Sequence, residues 1–154
     1  MTETREVVAD FDEYKVYPKS FAQGWRMIGS LSSGGFGSAL TFAVGEKSKA
    51  TLSVGLSGTF LANINRWKEQ FGNEKVEELG ELENVELFGN TGVLVDEFGT
   101  FRGNKEKWGM SVAMVEHPKY GLCVLKLTGP ESEVKAEKER FKQMAESLIL
   151  SSEN

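Results

Sequence analysis

The segment NINRWKEQFG, residues 63–72, holds the densest set of chemically capable side chains in the chain. On a helix turning about 100° per residue, Asn63, Arg66 and Gln70 fall within about 60° of one another. They form a polar stripe beside an apolar one, with Trp67 between the two. Asn65, Lys68 and Glu69 fall on the outer side. Two amides and a guanidinium in a row can satisfy backbone groups at the border of a buried face while Trp67 anchors the helix. The alternative, ranked behind it, is a shallow recognition site in which Arg66 grips an anionic group.

The other candidates lead away from catalysis. His117 is the only histidine and precedes Pro118 in a predicted turn. Cys123 is the only cysteine and shares a strand face with Leu125 and Leu127, as a small buried hydrophobe does. One His and one Cys exclude a His/Cys zinc site within the chain. No GxSxG elbow is present for Ser-His-Asp chemistry. The glycine-rich SGGFGS lacks the Gly-Lys-Ser/Thr ending of a phosphate loop and precedes a strand, so it reads as a hairpin loop. Asp96 and Glu97 are adjacent on one strand and point to opposite faces, so they cannot act as a pair. The acidic run 74–86 lacks the spaced ligand pattern of a calcium loop. No catalytic residue, metal or cofactor is assigned; the chain leans toward a non-enzyme, and the alternative is a small anionic ligand-binding or weak enzymatic site around Asn63, Arg66 and Gln70.

Those side chains need a scaffold, and the length of 154 residues suits one domain with one real core. A composition 40% hydrophobic and 27% charged is ordinary for a soluble protein. A formal net charge of −5, with no basic cluster, argues against nucleic acid as a partner, since phosphate neutralisation needs clustered Lys and Arg. No apolar run reaches the length of a membrane span, and the first residues lack the apolar stretch of an export signal. The chain as given therefore reads as soluble and cytoplasmic.

Hydrophobic period then assigns the elements. Trp25 to Leu31, Leu40 to Val44 and Ala50 to Leu56 are predicted strands, the last two with strict alternation. From Thr59 to Phe71 the period becomes helical: Phe60, Ile64, Trp67 and Phe71 form one stripe, and Gly72 is the stop. Residues 74–83 are a loop or short helical turn. Four further strands are Val85 to Phe88, Val93 to Phe98, Trp108 to Glu116 and Leu122 to Thr128, with turns at 89–92 and 117–121. The loop 99–107 carries Arg102, Lys105 and Lys107. Gly129-Pro130 opens a last helix whose buried stripe runs from Val134 through Phe141 and Ala145 to Leu148.

Short turns between consecutive strands favour antiparallel pairing, and helices segregated from strand runs indicate α+β. The expected fold is an antiparallel sheet of about six strands with two main helices packed on it. Residues 1–20 are expected to be an arm, 21–150 the single domain and 151–154 a tail.

LANINRWKEQFG, residues 61–72, resembles the Asn-x-Asn-Arg-Trp-x-x-Gln-x-Gly signature of an uncharacterised bacterial family, many of whose members are exported lipoproteins. LKLTGPESEV, residues 125–134, and FKQMAESLIL, residues 141–150, are similar to that family's strand-to-helix segment and final helix. The resemblance spans about residues 25–150 in the same order. Phe71 stands where Leu is more usual, and Lys68-Glu69 where a basic residue and Gly are frequent. The resemblance implies a PsbP-like α/β/α sandwich and an accessory or binding role with a protein partner. It marks Asn63, Asn65, Arg66, Trp67 and Gln70 as signature positions, with Lys126, Thr128, Gly129 and Pro130 as a second block. A periplasmic or membrane-attached location follows from the family's habit if an export signal has been removed.

Overall fold

The computed structural model describes residues 9–10, 15–18, 22–30, 38–80, 82–100 and 106–151. Residues 32–37 of the loop expected at 32–38 and the basic loop positions Arg102 and Lys105 lie outside the described residues. So do the last three residues and most of the expected arm.

The chain runs β1 (Ala9–Asp10), β2 (Lys15–Pro18), β3 (Trp25–Ser30), β4 (Ser38–Val44), β5 (Ser48–Leu56) and α1 (Phe60–Gln70). It continues with β6 (Glu83–Leu87), β7 (Asn90–Thr100), β8 (Lys107–His117), β9 (Gly121–Pro130), α2 (Glu131–Ala136), α3 (Lys138–Ser147) and β10 (Leu148–Ser151). The main sheet is antiparallel, with seven strands ordered β3-β4-β5-β9-β8-β7-β6. The expectation of about six is corrected to seven. All the candidate segments join one sheet, with Trp25–Ser30 and Glu83–Leu87 as its two edges. β2 also pairs with β10 in a separate three-stranded sheet with β1. These strands take up part of the segment expected to be an arm.

Alternation divides the main sheet into two apolar faces. Leu40, Phe42, Leu52, Cys123, Leu125 and Leu127 point to one face and are sealed by Val134 of α2 and by Phe141, Met144 and Ala145 of α3. Val112, Met114, Leu122 and Val124 point to the other and are sealed by Ile64, Trp67 and Phe71 of α1. The result is a sheet sandwiched between α1 on one side and α2–α3 on the other. Burial of both faces makes β8 almost continuously apolar inside.

Three local outcomes differ from the sequence reading. The last helix is two helices, broken at Glu137, and Leu148 begins a strand. Pro130 caps α2 from outside, where its φ of −55° fits the turn into the helix. The turn expected at 89–92 is Phe88-Gly89, since Leu87 pairs with Asn90. Phe88 adopts a φ of +54°, and its burial at the end of the apolar core offsets the unfavourable backbone.

α1 has well-defined ends. Thr59 precedes it, and its hydroxyl accepts a hydrogen bond from the Ala62 amide at 3.1 Å. Gly72 lies in the left-handed region, φ +73°. That geometry lets Asn73 N donate to Lys68 O at 2.8 Å and Gly72 N to Glu69 O at 3.1 Å, a Schellman closure. The expected stop at Gly72 is therefore the observed one.

Candidate functional site

The helix α1 distributes its polar residues by angle. Asn63 lies about 40° from Trp67, Gln70 about 60° and Arg66 about 100°. Burial follows that order: Asn63 is buried, Gln70 half-buried and Arg66 exposed. The polar stripe therefore divides among three environments.

Asn63 serves the protein's own backbone. Its Nδ2 donates to Ser57 O at 3.1 Å and Thr59 O at 2.9 Å, holding the bend that leads into the helix. Asn65 does the same for the segment after the helix. Its Oδ1 accepts from Val76 N and its Nδ2 donates to Val76 O, both at 2.8 Å. One amide thus satisfies both polar groups of one peptide residue, as a neighbouring strand would.

Lys68 was expected on the outer side, and that expectation is corrected. It lies about 40° from Ile64, at the opposite border of the apolar face. From there its Nζ reaches Glu97 Oε2 at 2.9 Å, while Asn73 Nδ2 donates to Glu97 Oε1 at 2.8 Å. Glu97 is 6% exposed, so Lys68 neutralises a buried carboxylate that Asn73 also hydrogen-bonds, and the pair ties α1 to β7. Asp96 points to the other face, as expected. There it accepts from Ser111 Oγ at 2.7 Å and meets Lys138 at 3.4 Å.

Trp67 is buried under the helix, with two cations near its ring. Arg66 Cζ lies 5.7 Å from the centre of its ring and Lys126 Nζ 5.8 Å. Arg66 makes no ion pair among the described residues.

The second block of the sequence reading meets the end of α1 at a cleft of about 300 Å³. Gln70, Lys126 and Thr128 all line it. Antiparallel pairing of β5 with β9 sets Lys49 opposite Thr128 and Thr51 opposite Lys126. The floor is thus a two-by-two pattern in which lysines and threonines alternate. Trp108 and Met110 of β8 and Phe71 of α1 supply an apolar wall. No carboxylate of the described residues lines the cleft, although the whole chain carries a formal charge of −5. Among the described residues, no hydrogen bond or ion pair engages the side chains of Lys49, Thr51, Gln70 or Thr128. Asn63 and Asn65, a turn or two back along the same helix, have their amides occupied by backbone.

Gly129 and Pro130 stand just beyond the cleft in a structural role. A Cβ on Gly129 would lie 2.0 Å from Ser48 Oγ, so only glycine lets β9 pass that turn. Glu133 of α2 accepts from Ser48 Oγ at 3.0 Å and from Lys47 N at 3.2 Å, locking the same turn.

Cys123 lies in the core and His117 in a turn. Cys123 is fully buried, and burial pushes its thiol up to about 11. His117 Nδ1 accepts from the amides of Lys119 at 3.0 Å and Tyr120 at 3.2 Å within its turn. Burial and then the Lys119 charge hold its pKa below the usual value. A second hollow of about 260 Å³ on the far flank of α1 is lined by Leu79, Leu82, Glu78 and Glu97, among others.

Lys49, Thr51, Trp108 and Met110 were absent from the sequence-based site. Lys49 and Thr51 belong to the polar phase of an alternating strand, and that phase shares a face with Lys126 and Thr128 once β5 pairs with β9. The adjacency of those two strands is the missing piece.

Solved structures with the same arrangement include LpqN of Mycobacterium tuberculosis, described as involved in cell envelope biogenesis. The TM-score is 0.56 at 15% identity, over 97% of this chain and 91% of that one. The cyanobacterial PsbP protein (CyanoP) of Synechocystis sp. PCC 6803 matches with a TM-score of 0.51 at 15% identity, over 98% and 95% of the two chains. The fold is PsbP-like. A protein of Bacteroides thetaiotaomicron VPI-5482 shares this PsbP-like arrangement with a TM-score of 0.50 at 10% identity, over 99% of this chain and 50% of that one. No protein-family model matches the chain, and comparison with curated proteins finds no relative. Identities this low make the likeness one of fold. Among the described residues, no helix is long and apolar enough to cross a membrane.

Proposed function

We propose that this protein is a non-catalytic binding module of the accessory type, and that the cleft between the end of α1 and strands β5 and β9 receives an anionic group of its partner. One observation carries the reading. Lys49, Thr51, Gln70 and Thr128 converge on one concavity and make no hydrogen bond or ion pair among the described residues. Asn63 and Glu97, which are buried, are paired within the fold, whereas Lys49 is exposed and Thr51, Gln70 and Thr128 are half-buried, so their polar ends are open to a group that enters the cleft. Polar groups gathered in a cleft beside an apolar wall are the usual makings of a recognition site.

The likeness to LpqN and to CyanoP supports an accessory role rather than an enzymatic one, and the former supports an envelope setting. A protein partner fits both. Of the signature residues, Gln70, Lys126 and Thr128 act in recognition on this reading. Asn63, Asn65 and Trp67 hold the helix that presents Gln70. Arg66 extends the cationic surface beyond Trp67.

Co-purification from native extract tests the reading. Wild type and the double variant Lys49→Gln/Thr51→Val are compared at matched melting temperature. The expected result is a specific protein recovered by wild type and lost by the variant. Equal recovery by both would remove the cleft from the binding surface.

A further inference from the structure

The proposed binding role leaves open which anion the cleft takes, and the donors narrow the answer. Lys49 and Lys126 sit at diagonal positions of the β5–β9 pair. Diagonal neighbours of this kind are about 7 Å apart, within the reach of two lysine stems bending toward one point. Thr51 and Thr128 occupy the other diagonal. Gln70 adds an amide from the helix above.

The cleft thus offers an entering group two ammonium groups, two hydroxyls and an amide, from its floor and from the helix above, with Lys126 Nζ also 5.8 Å from the centre of the Trp67 ring. A planar carboxylate offers two oxygens in one plane and is matched best by the fork of an arginine. Lysines act as point charges and suit a compact, multiply charged anion whose oxygens point several ways. Trp108, Met110 and Phe71 form a wall on one side only, so the anion enters with an apolar or aromatic body attached to it. The volume of about 300 Å³ holds a group of that size and no folded segment.

Resting on the binding-module reading, we infer that the cleft is a site for a phosphate monoester carrying an apolar or aromatic substituent. The phosphate sits over the Lys49, Thr51, Lys126 and Thr128 floor, and the substituent lies against Trp108. The same chemistry is presented by a small soluble phosphate ester and by a phosphatidic acid headgroup.

The test is NMR titration of the full chain, following the Trp108 indole and Gln70 side-chain amide signals. The probes are phenyl phosphate, benzenesulfonate and vesicles containing phosphatidic acid. Benzenesulfonate has a ring and three terminal oxygens like phenyl phosphate, with one charge fewer and no ester oxygen. The expected result is a saturable shift of both signals by phenyl phosphate. Affinity should be at least about tenfold lower for benzenesulfonate and for Lys49→Gln, and should weaken as salt screens the pair of ammoniums. Binding should also fall between pH 7 and pH 5, because the second phosphate ionisation lies near ~6. If phenyl phosphate is inert but vesicles bind wild type and not Lys49→Gln, the inference stands with a lipid as the source.

Equal affinity for benzenesulfonate, or equal affinity in Lys49→Gln, overturns the inference. So does the absence of any shift with phenyl phosphate and with vesicles. Thr51→Val, which keeps the side-chain shape, serves as a second variant if Lys49→Gln alters the melting temperature. The two readings fail separately. Lack of phosphate binding while the cleft variants still lose the protein partner rejects the phosphate ester alone. Phosphate binding with equal partner recovery by wild type and variant rejects the cleft as the protein interface.

Discussion

Thr51 and Lys126 stand directly opposite one another across the β5–β9 pair, more than seventy positions apart in the chain by their numbers. That pairing brings the second half of the domain, with its Lys-x-Thr of β9, onto the Lys-x-Thr of β5. The two short patterns run antiparallel and in register, so each lysine meets a threonine. Gln70, at the last turn of α1, closes the arrangement from above.

Asn65→Ala separates fold maintenance from recognition. The substitution removes both hydrogen bonds to Val76. Stability is expected to fall by about 1 kcal/mol. Amide exchange at Val76 should rise sharply while Trp108 keeps its native signal. Exchange-resolved NMR reads both, and an unchanged Val76 amide would show that the segment after α1 is held by something else.

Lys68→Met leaves the Glu97 carboxylate in place with only Asn73 to meet it. An expected loss of about 2 kcal/mol follows from stranding a buried charge. Glu97→Gln in the same background should restore part of the loss, and chemical denaturation of the four proteins of the cycle measures it.

Gly129→Ala places a methyl 2.0 Å from Ser48 Oγ and 2.9 Å from Ser48 Cα. Backbone must move, and overpacking of this kind costs about 1–3 kcal/mol. Thermal melts compared with Gly80→Ala, where nothing lies within 4 Å, isolate the steric effect.

Stability should form a plateau bounded on both sides in pH. Lys142 and then Lys138 hold the Glu83 pKa below its ordinary 4.5. Glu83 is thus a depressed acid: its contribution is present above 4.5 and is lost as pH falls through the lowered value. His117 is held below 6.5, chiefly by burial, so its contribution is lost as pH falls through its own lowered value. Lys138 is raised above 10.5, first by the Asp96 charge, so its contribution is complete below 10.5 and disappears as pH climbs through the raised value. Urea midpoints across pH should show these limits. Glu83→Gln should flatten the most acidic limb and leave the step below pH 6.5 intact.

Periodicity revealed the scaffold because burial acts locally on every strand and helix. The stripe Phe60, Ile64, Trp67 and Phe71 and the alternation of Leu40, Phe42 and Val44 are direct imprints of an apolar face. The two asparagines of the signature were not separable by type. Asn63 and Asn65 have the same chemistry, and only the path of the chain before and after α1 gives each its backbone partner. Lys49 and Thr51 were hidden for a different reason. An exposed strand phase is polar whether or not it binds anything, and spacing along β5 does not disclose that β9 lies beside it. The break at Glu137 was hidden too, since the apolar stripe of the last helix continues across it from Val134 to Phe141.

Photocrosslinking from position 53 tests the cleft most directly, because Ser53 lies on the same face of β5 as Lys49 and Thr51 and keeps both in place. A photoreactive residue replaces Ser53 in one protein and Lys142, on the α3 side of the sheet, in another. Both are irradiated in native extract. The expected result is a discrete protein adduct from position 53, absent from position 142 and suppressed when Lys49→Gln and Thr128→Val are added. The same adduct from both positions, or an adduct from 142 alone, would contradict binding through the cleft.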